Sequence, residues 1–526
     1  MDSINNPYNE QGQSQMPVMP PPPIPNGNRR LEIRDWRLKT GGMMPMMKKP
    51  VAFPKWLTQY GVMVYIMALA AVSFMYSAAS IPWYFMLSGV VAIVVFFLYG
   101  STLIEQTSMH KIHREKVFER RIFMISLALR LVWTVLIYVI FMQNYGDAFG
   151  FENGDATFYD DQANVFANAM RNGNFGAVWQ SASSRIDLSD LGYPAYVSFL
   201  YYLTDNNILI VRLIKCLLSA WTVVLVYRIA LRNFGTQTAR VAAIFCALWP
   251  NFWYYCGTHL KEVEMVFLGV LFVEQADQML RSRQFTAWKI IPLLLIGTAI
   301  FTVRTPLALV AFLALFFAIV MSSSRVVSWG KRIIVGGLVL LLVVVTMGNR
   351  IQEEAKGLFD TVQSGQQHTN MEWRGTRQHG NAFAKYAGKS VFAPLIFTIP
   401  FPSMVQPFEG QEVQQLLNGG NFIKNIVSFF TIFALVMLLM SGKWREHLLP
   451  LSFMLGYLVV LTVSTFAQSE RFHQPAMPFE MMFAAYGLSI AVTKPKYKRW
   501  FMYWCGLMIV ACIAWNWFKL AGRGLA

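Results

Sequence analysis

Long apolar segments separated by short polar connectors make up most of the chain after residue 55. Segments such as Val90–Leu98 and Ile333–Met347 are apolar on every face, and none shows the strict alternation of a half-buried strand. A helix that is apolar all round belongs in lipid or in a very large core. Because the segments reach the length of a bilayer crossing, the pattern predicts an all-α polytopic membrane protein with about 13 transmembrane helices. The predicted spans are 57–79, 81–101, 122–143, 207–231, 241–257, 263–280, 288–303, 305–322, 332–348, 426–441, 447–467, 477–493 and 500–518.

Basic residues gather in alternate connectors between these spans. The connector His110–Arg121 carries five Lys and Arg residues, whereas 144–192 carries seven Asp and Glu residues against two Arg residues. The positive-inside rule therefore predicts a cytoplasmic N-terminus, an extracytoplasmic C-terminus and two larger extracytoplasmic loops at about 144–192 and 349–425. The other basic connectors are Arg232–Arg240, Arg281–Lys289, Arg325–Arg332, Lys443–Arg445 and Lys494–Arg499.

Two segments stand apart from this alternation. Residues 1–50 are rich in Pro, Asn, Gln and Met and lack an apolar period, which predicts a disordered, Pro-rich cytoplasmic tail ahead of a transmembrane domain at 55–520. Tyr193–Leu203 is too short for a comfortable crossing and is predicted to be a re-entrant or interfacial helix. If it crossed the membrane, the count would rise to about 14 spans.

Composition agrees with a membrane protein. The 526 residues are 55% hydrophobic and 14% charged, against about 25% charged in soluble domains. The net charge of +17 resides mostly in connectors, so it favours a topology signal over a nucleic-acid surface. We therefore expect the lipid bilayer as a partner and no nucleic acid. The cysteines lie in or beside spans without a CxxC pair, which favours buried apolar residues over disulfides or metal ligands: Cys216, Cys246, Cys256, Cys505 and Cys512.

Ionisable residues that interrupt or end the spans collect, on this topology, at the extracytoplasmic side. Such groups are costly at membrane depth, and their default interpretation is a functional site. They occur in four segments: GDATFYDD with Asp155, Tyr159 and Asp160, THLKEVE with His259, Lys261 and Glu262, TVRTP with Arg304, and SERFHQPAMP with Glu470, Arg471 and His473.

Each segment allows a chemical and a structural interpretation. Asp155 could take a proton from an acceptor, with Tyr159 stacking on a sugar, or it could be a helix N-cap. Lys261 could hold a phosphate while Glu262 or His259 assists in acid–base chemistry, or Lys261 could anchor the end of a span.

Arg304 and Arg471 each require an anion, which is either a phosphate or an acidic side chain of the protein. His368 and His379 in the second loop lack the spacing of a known metal site, so no metal site is predicted. The chain also contains no Walker A, HExxH or GxSxG motif.

Three features of the sequence together resemble the GT-C superfamily of membrane glycosyltransferases, especially family 39 enzymes related to protein O-mannosyltransferases and aminoarabinose transferases. The segments are GDATFYDDQANVFA, then YPAYVSFLYYL followed by VYRIALRNFGTQTARVAA, and last ERFHQPAMPFEMMFAAYGL. The resemblance runs from about residue 120 to residue 495. It departs from the family at Ala156, where a second acidic residue often follows the first.

The resemblance implies an inner (plasma) membrane glycosyltransferase that moves a sugar from a polyprenyl-phosphate-linked donor to an extracytoplasmic lipid, glycan or protein, by inverting direct displacement. By carry-over, Asp155 would be the catalytic acid/base, and Lys261, Arg304 and Arg471 would bind the donor phosphate. Asp160 and Glu262 are further catalytic candidates. No cofactor is expected, and a divalent cation stays open. The alternatives are a polysaccharide polymerase or ligase of related architecture and a lipid-linked sugar transporter or flippase.

Overall fold

A computed structural model describes residues 55–109, 115–150, 152, 154–184, 190–282, 287–322, 330, 337, 393–405, 413–463, 467–492 and 496–521. These residues belong to one compact unit, Pro50–Ala526, and contain helices but no strand. The all-α prediction is thus confirmed for this part of the chain. The helices are α1 Lys55–Met75, α2 Trp83–Val94, α3 Gly100–Met109, α4 Glu115–Tyr145, α5 Gly154–Arg171, α6 Ala177–Ser184, α7 Gly192–Thr204, α8 Ile208–Phe234, α9 Thr236–Leu248, α10 Pro250–Tyr254, α11 Glu262–Arg281, α12 Ile290–Val303, α13 Thr305–Met321, α14 Val413–Leu416, α15 Asn418–Met440, α16 Leu448–Val463, α17 Glu470–His473, α18 Met477–Ala491 and α19 Lys496–Ala521.

Among the described helices, six are long and apolar enough to cross a membrane, and four shorter apolar helices of 10–17 residues accompany them. The six are Trp56–Met75, Trp83–Gln106, Glu115–Tyr145, Ile208–Phe234, Asn418–Met440 and Lys496–Ala521. The total of about 13 spans stays a prediction. The predicted span 332–348, most of the predicted loop 349–425 and the predicted tail lie largely or wholly outside the described residues.

Helix α7 has 13 residues, or about 20 Å of helix at 1.5 Å per residue. That length falls short of the roughly 30 Å hydrocarbon core, which agrees with an interfacial or re-entrant helix. Tyr193, Val197 and Tyr201 on one face of α7 are buried against α5.

The predicted span 241–257 is wrong as a single helix. Helix α9 ends at Leu248, Trp249 adopts an extended conformation, and Pro250 begins the short helix α10. The residue before a proline is restricted away from the helical region, and proline suits the first turn of a new helix. The chain therefore leaves the helix here, and the indole of Trp249 donates to the Gly420 carbonyl at 3.1 Å.

Helix α8 lies at the centre of the bundle and packs against α4, α9 and α11, while α15 packs against α18. Glycine permits the closest approach in the second pair, because a Cβ on Gly487 would collide with the backbone carbonyl of Phe430. A Cβ on Gly420 would likewise collide with the buried amide of Asn251. The amino ends of α8 and α11 lie together at one end of the bundle, where Lys215 on α8 is 3.8 Å from Glu264 on α11.

Candidate active site

Arg471 occupies the centre of a charged cluster at this end of the bundle. It belongs to the four-residue helix α17, and its guanidinium pairs through Nη1 with Asp155 and through Nε with Glu262. Asp155 lies in the first turn of α5 rather than at its cap, and Glu262 is the first residue of α11. Although burial opposes it, these two carboxylates raise the pKa of Arg471 above its ordinary value. Of the two kinds of anion considered for Arg471, a phosphate or an acidic side chain, the free protein supplies acidic side chains.

Lys261 approaches the same cluster from the turn that precedes α11. Its ammonium donates to the Val303 carbonyl at 2.8 Å, pairs with the Asp190 carboxylate and lies 5.7 Å from the ring centre of Tyr159. Burial, together with the neighbouring Arg304, lowers the pKa of Lys261 to about 7, while Glu262 opposes the shift. Sequence reasoning counted Asp190 only as one acidic residue of the loop.

Arg304 lies between α12 and α13, in an extended conformation that turns the chain from one helix to the next. Its guanidinium carbon is 5.3 Å from the ring centre of Phe472, and that of Arg471 is 5.7 Å from the same ring. Three cations from three separate connectors therefore converge. We refer to this set as the Arg471 cluster, which consists of Asp155, Asp190, Lys261, Glu262, Arg304 and Arg471.

Asp160 and His259 form a separate layer behind the cluster. Asp160 accepts hydrogen bonds from the Tyr201 hydroxyl and, at 2.8 Å, from the Asn164 amide. Burial raises the pKa of Asp160, and it lowers the pKa of His259 well below its usual range, so this imidazole is neutral. His259 Nε2 is 3.8 Å from Asp160 Oδ1, and the imidazole stacks on the Tyr201 ring.

Glu152, which the residue patterns did not single out, connects both layers. One carboxylate oxygen is 2.8 Å from Arg212 Nη2, and the other accepts the backbone N–H of His259 at 2.7 Å. Both side chains of this ion pair are fully buried. Glu152 precedes Asp155 by three residues and contacts the turn that carries Lys261. It therefore fixes the position of Asp155 relative to that of Lys261. Burial raises the pKa of Glu152 to about 7, although Arg212 opposes the shift.

Glu470 and His473 flank Arg471 in sequence but point into the protein interior. Glu470 accepts hydrogen bonds from the Asn251 amide and the Tyr255 hydroxyl, each at 2.7 Å. His473 Nδ1 is 2.8 Å from the ammonium of Lys424, and Nε2 is 2.8 Å from the Ala467 carbonyl. Because the ammonium can only donate, Nδ1 accepts and Nε2–H donates. The structure therefore does not bring these two residues into the Arg471 cluster, and instead they anchor the turn from which Arg471 projects.

Glu262 is nearly enclosed, with a side chain that is 3% exposed. One of its carboxylate oxygens has no hydrogen-bond partner among the described protein atoms. A cavity of about 10 Å³, lined by Glu262, Ser219 and Gln474 among others, lies beside it and has room for about one water molecule. His368 and His379, considered above as metal ligands, lie outside the described residues.

The fold and the cluster define an integral membrane protein with paired cations and carboxylates at one end of its helices. The family model for dolichyl-phosphate-mannose-protein mannosyltransferases matches residues 191–348. This match confirms the resemblance to that family over residues 191–348. The matched segment contains His259, Lys261, Glu262 and Arg304 but neither Asp155 nor Arg471. No curated protein and no solved structure matches the chain.

Proposed function

We propose that the protein transfers a sugar from a polyprenyl-phosphate-linked donor to an acceptor on the extracytoplasmic side of the membrane. The observation that carries this proposal is the convergence of Lys261, Arg304 and Arg471 beside an accessible carboxylate at one end of the bundle. Cations placed in this way suit a phosphate, and the apolar helices suit its lipid tail.

Exposure separates the three candidate carboxylates. The side chain of Asp155 is 57% exposed, that of Asp160 is 19% exposed, and that of Glu262 is 3% exposed. An acceptor can therefore reach Asp155, whereas Asp160 is already engaged by Tyr201 and Asn164. On this proposal Asp155 removes the acceptor's proton as general base, and Glu262 holds Arg471 in position.

The cations act on the leaving group. The acceptor oxygen or nitrogen attacks the anomeric carbon, the bond from that carbon to the phosphate oxygen breaks, and the anomeric configuration inverts. The departing polyprenyl phosphate gains negative charge, which Lys261, Arg304 and Arg471 stabilise through charge-assisted hydrogen bonds. The proton from the acceptor ends on Asp155.

Turnover can be tested with the purified protein and a panel of polyprenyl-phosphate sugars that differ in the sugar. We expect release of polyprenyl phosphate from at least one donor, and loss of that release in Arg471→Gln. Transport of an intact donor across liposomes without any release would instead support a transporter or flippase. Arg445→Gln, a change of an exposed arginine at the opposite end of the bundle, is the matched control and should leave release unchanged.

Orientation can be tested by cysteine labelling in intact cells. All five native cysteines are buried, so the background is low. Asn174 and Arg445 are exposed at opposite ends of the bundle. We expect Asn174→Cys to react with an impermeant thiol reagent from outside and Arg445→Cys to react only after permeabilisation. The reverse result would place the Arg471 cluster on the cytoplasmic side and contradict the proposed function.

A further inference from the structure

The Arg471 cluster is neutralised by carboxylates of its own chain. Arg471 is paired with Asp155 and Glu262, and Lys261 is paired with Asp190. A donor phosphate that is to bind these cations must therefore replace at least one carboxylate. The cations themselves are too enclosed to gain a further partner freely, since the side chains of Arg471 and Lys261 are 11% and 3% exposed.

The three carboxylates differ in whether they can leave. Asp155 and Asp190 have side chains that are 57% and 38% exposed, so each can rotate into water at little cost in solvation. Glu262 is enclosed, and its withdrawal from Arg471 would leave a buried, uncompensated charge. Glu262 is therefore the permanent partner of Arg471, and the two aspartates are the replaceable ones.

We propose that the donor phosphate displaces Asp190 from Lys261 and Asp155 from Arg471, while Glu262 stays in place. This inference rests on the proposed function and adds Asp190 to the binding site. The exchange has a consequence for the order of events. While Asp155 is paired with Arg471, one oxygen of its carboxylate is engaged by the guanidinium instead of facing the acceptor. Phosphate binding releases Asp155 from that pair, so the base becomes available only when the donor is present.

The exchange makes a distinctive prediction about affinity. Each displaced aspartate competes with the phosphate, and the donor's binding free energy is the difference between the pairs gained and the pairs lost. Removal of a competitor should therefore tighten phosphate binding, although the substitution removes a charged group from the site. A carboxylate that only supported the site would give weaker binding when removed.

Asparagine is the appropriate replacement at both positions. Asp190 has a φ of 72°, in the left-handed region that aspartate and asparagine tolerate better than most residues. Asparagine also keeps the size of the aspartate side chain while removing its charge. The matched control is Asp161→Asn, because Asp161 is an exposed carboxylate on the same helix as Asp155. It reports the general effect of one fewer negative charge near the phosphate.

The experiment measures the Kd of farnesyl phosphate for the full-length protein in detergent, with farnesol as the uncharged probe. We expect Asp190→Asn and Asp155→Asn each to tighten farnesyl phosphate binding by about 3–10-fold, with a larger gain in the double variant. Asp161→Asn should change the Kd less than about twofold, and farnesol should bind all forms alike. A thermal melt of each variant verifies that it is folded.

The remaining outcomes separate the exchange from the proposed function. If the wild type binds farnesyl phosphate and Lys261→Gln weakens it, but neither Asn variant binds more tightly than Asp161→Asn, the exchange is wrong and the phosphate site stands. If the wild type binds farnesyl phosphate no better than farnesol, the proposed function and the exchange both fail.

Discussion

Two clusters of ion pairs lie near opposite ends of helices α8 and α11, and they differ in how far their carboxylates are exposed to solvent. At the carboxyl ends of these helices, the Asp277 carboxylate accepts hydrogen bonds from Arg232 Nε at 2.6 Å and from Arg281 Nε at 2.8 Å. The Asp277 side chain is 2% exposed. Glu274 contacts Arg232 at 3.3 Å. We refer to these four residues as the Asp277 cluster. The Arg471 cluster at the other end has two carboxylates that face solvent.

The comparison distinguishes an enclosed network of ion pairs from one with solvent-exposed carboxylates. In the Asp277 cluster the acidic and basic residues come from α8 and α11 and form ion pairs with each other. Arg281 also donates to the Glu446 carbonyl. No exposed acid remains there that a ligand could replace among the residues just named. In the Arg471 cluster the members come from five connectors or helix ends, and two acids can withdraw into water. Each cluster therefore has equal numbers of acidic and basic residues, but only the Arg471 cluster has acidic residues that can move into solvent.

The largest expected effect is on catalysis at the Arg471 cluster. Asp155→Asn removes the proton acceptor but keeps the size of the side chain, so turnover should fall by about 10²–10⁴-fold. Expression and melting temperature should stay near those of the wild type, because Asp155 is largely exposed. Asp160→Asn is the matched control and should lower turnover less than Asp155→Asn does. Turnover of Asp155→Asn within a few-fold of the wild type would contradict its assignment as the base.

The next effect is on stability at the Asp277 cluster. Asp277→Asn leaves Arg232 and Arg281 without their shared counter-charge in a buried site, which should cost about 3–5 kcal/mol. The melting temperature in detergent should therefore fall clearly, while the folded fraction should bind farnesyl phosphate with unchanged Kd. An unchanged melt combined with lost phosphate binding would reverse the roles assigned to the two clusters.

A smaller effect is expected for Glu152, which positions the Arg471 cluster without belonging to it. Glu152→Gln weakens the attachment to Arg212 and so loosens Asp155 relative to Lys261. Misplacement of reacting groups lowers kcat, and we expect a loss of about 10–100-fold with a much smaller change in KM for the donor. Because the two residues act as a pair, adding Arg212→Gln should cost less than it does in the wild type.

Asp147→Asn in the same loop is the control for Glu152, since Asp147 accepts the backbone N–H groups of Phe149 and Gly150, a role that asparagine retains. Equal losses in kcat for Asp147→Asn and Glu152→Gln would show that the loop is only generally sensitive to change.

The smallest effect concerns pH. The pKa of Lys261 is lowered to about 7, so a growing fraction of the free protein lacks this positive charge as the pH rises above that value. Since the protonated form binds phosphate better, the affinity for farnesyl phosphate should decline between about pH 7 and pH 9, by no more than about tenfold in total because Arg304 and Arg471 keep their charge. Arginine stays charged throughout this range, so Lys261→Arg should abolish the decline. An identical pH profile in that variant would exclude Lys261 as its source.

The sequence allows the prediction of most helices because apolar runs of membrane length have few alternatives. It fails at Trp249, where hydrophobic residues continue through a backbone break and only Pro250 marks the new helix. The expected gathering of polar residues is present for Asp155, Glu262 and Arg471. Their pairing, however, joins residues 316 positions apart, and no local pattern encodes such a contact.

The sequence is also a poor guide to which neighbours share a site. Glu470, Arg471 and His473 are adjacent in the chain, yet a short helix directs Arg471 to the cluster and the other two to the interior. Conversely, Glu152 looks like one more acidic loop residue until Arg212, 60 positions later, is placed beside it. Tertiary packing decides these cases.

The close approach of Gly420 to Asn251 has a consequence for genetics. Asn251 holds Glu470, and Glu470 holds the turn that carries Arg471. A bulkier residue at position 420 would therefore push on the turn from inside the bundle. A library of random substitutions should accordingly return loss-of-function alleles at Gly420 and Asn251, two positions outside the Arg471 cluster. A map of such alleles would trace the contacts that support Arg471 from the interior rather than the cluster itself.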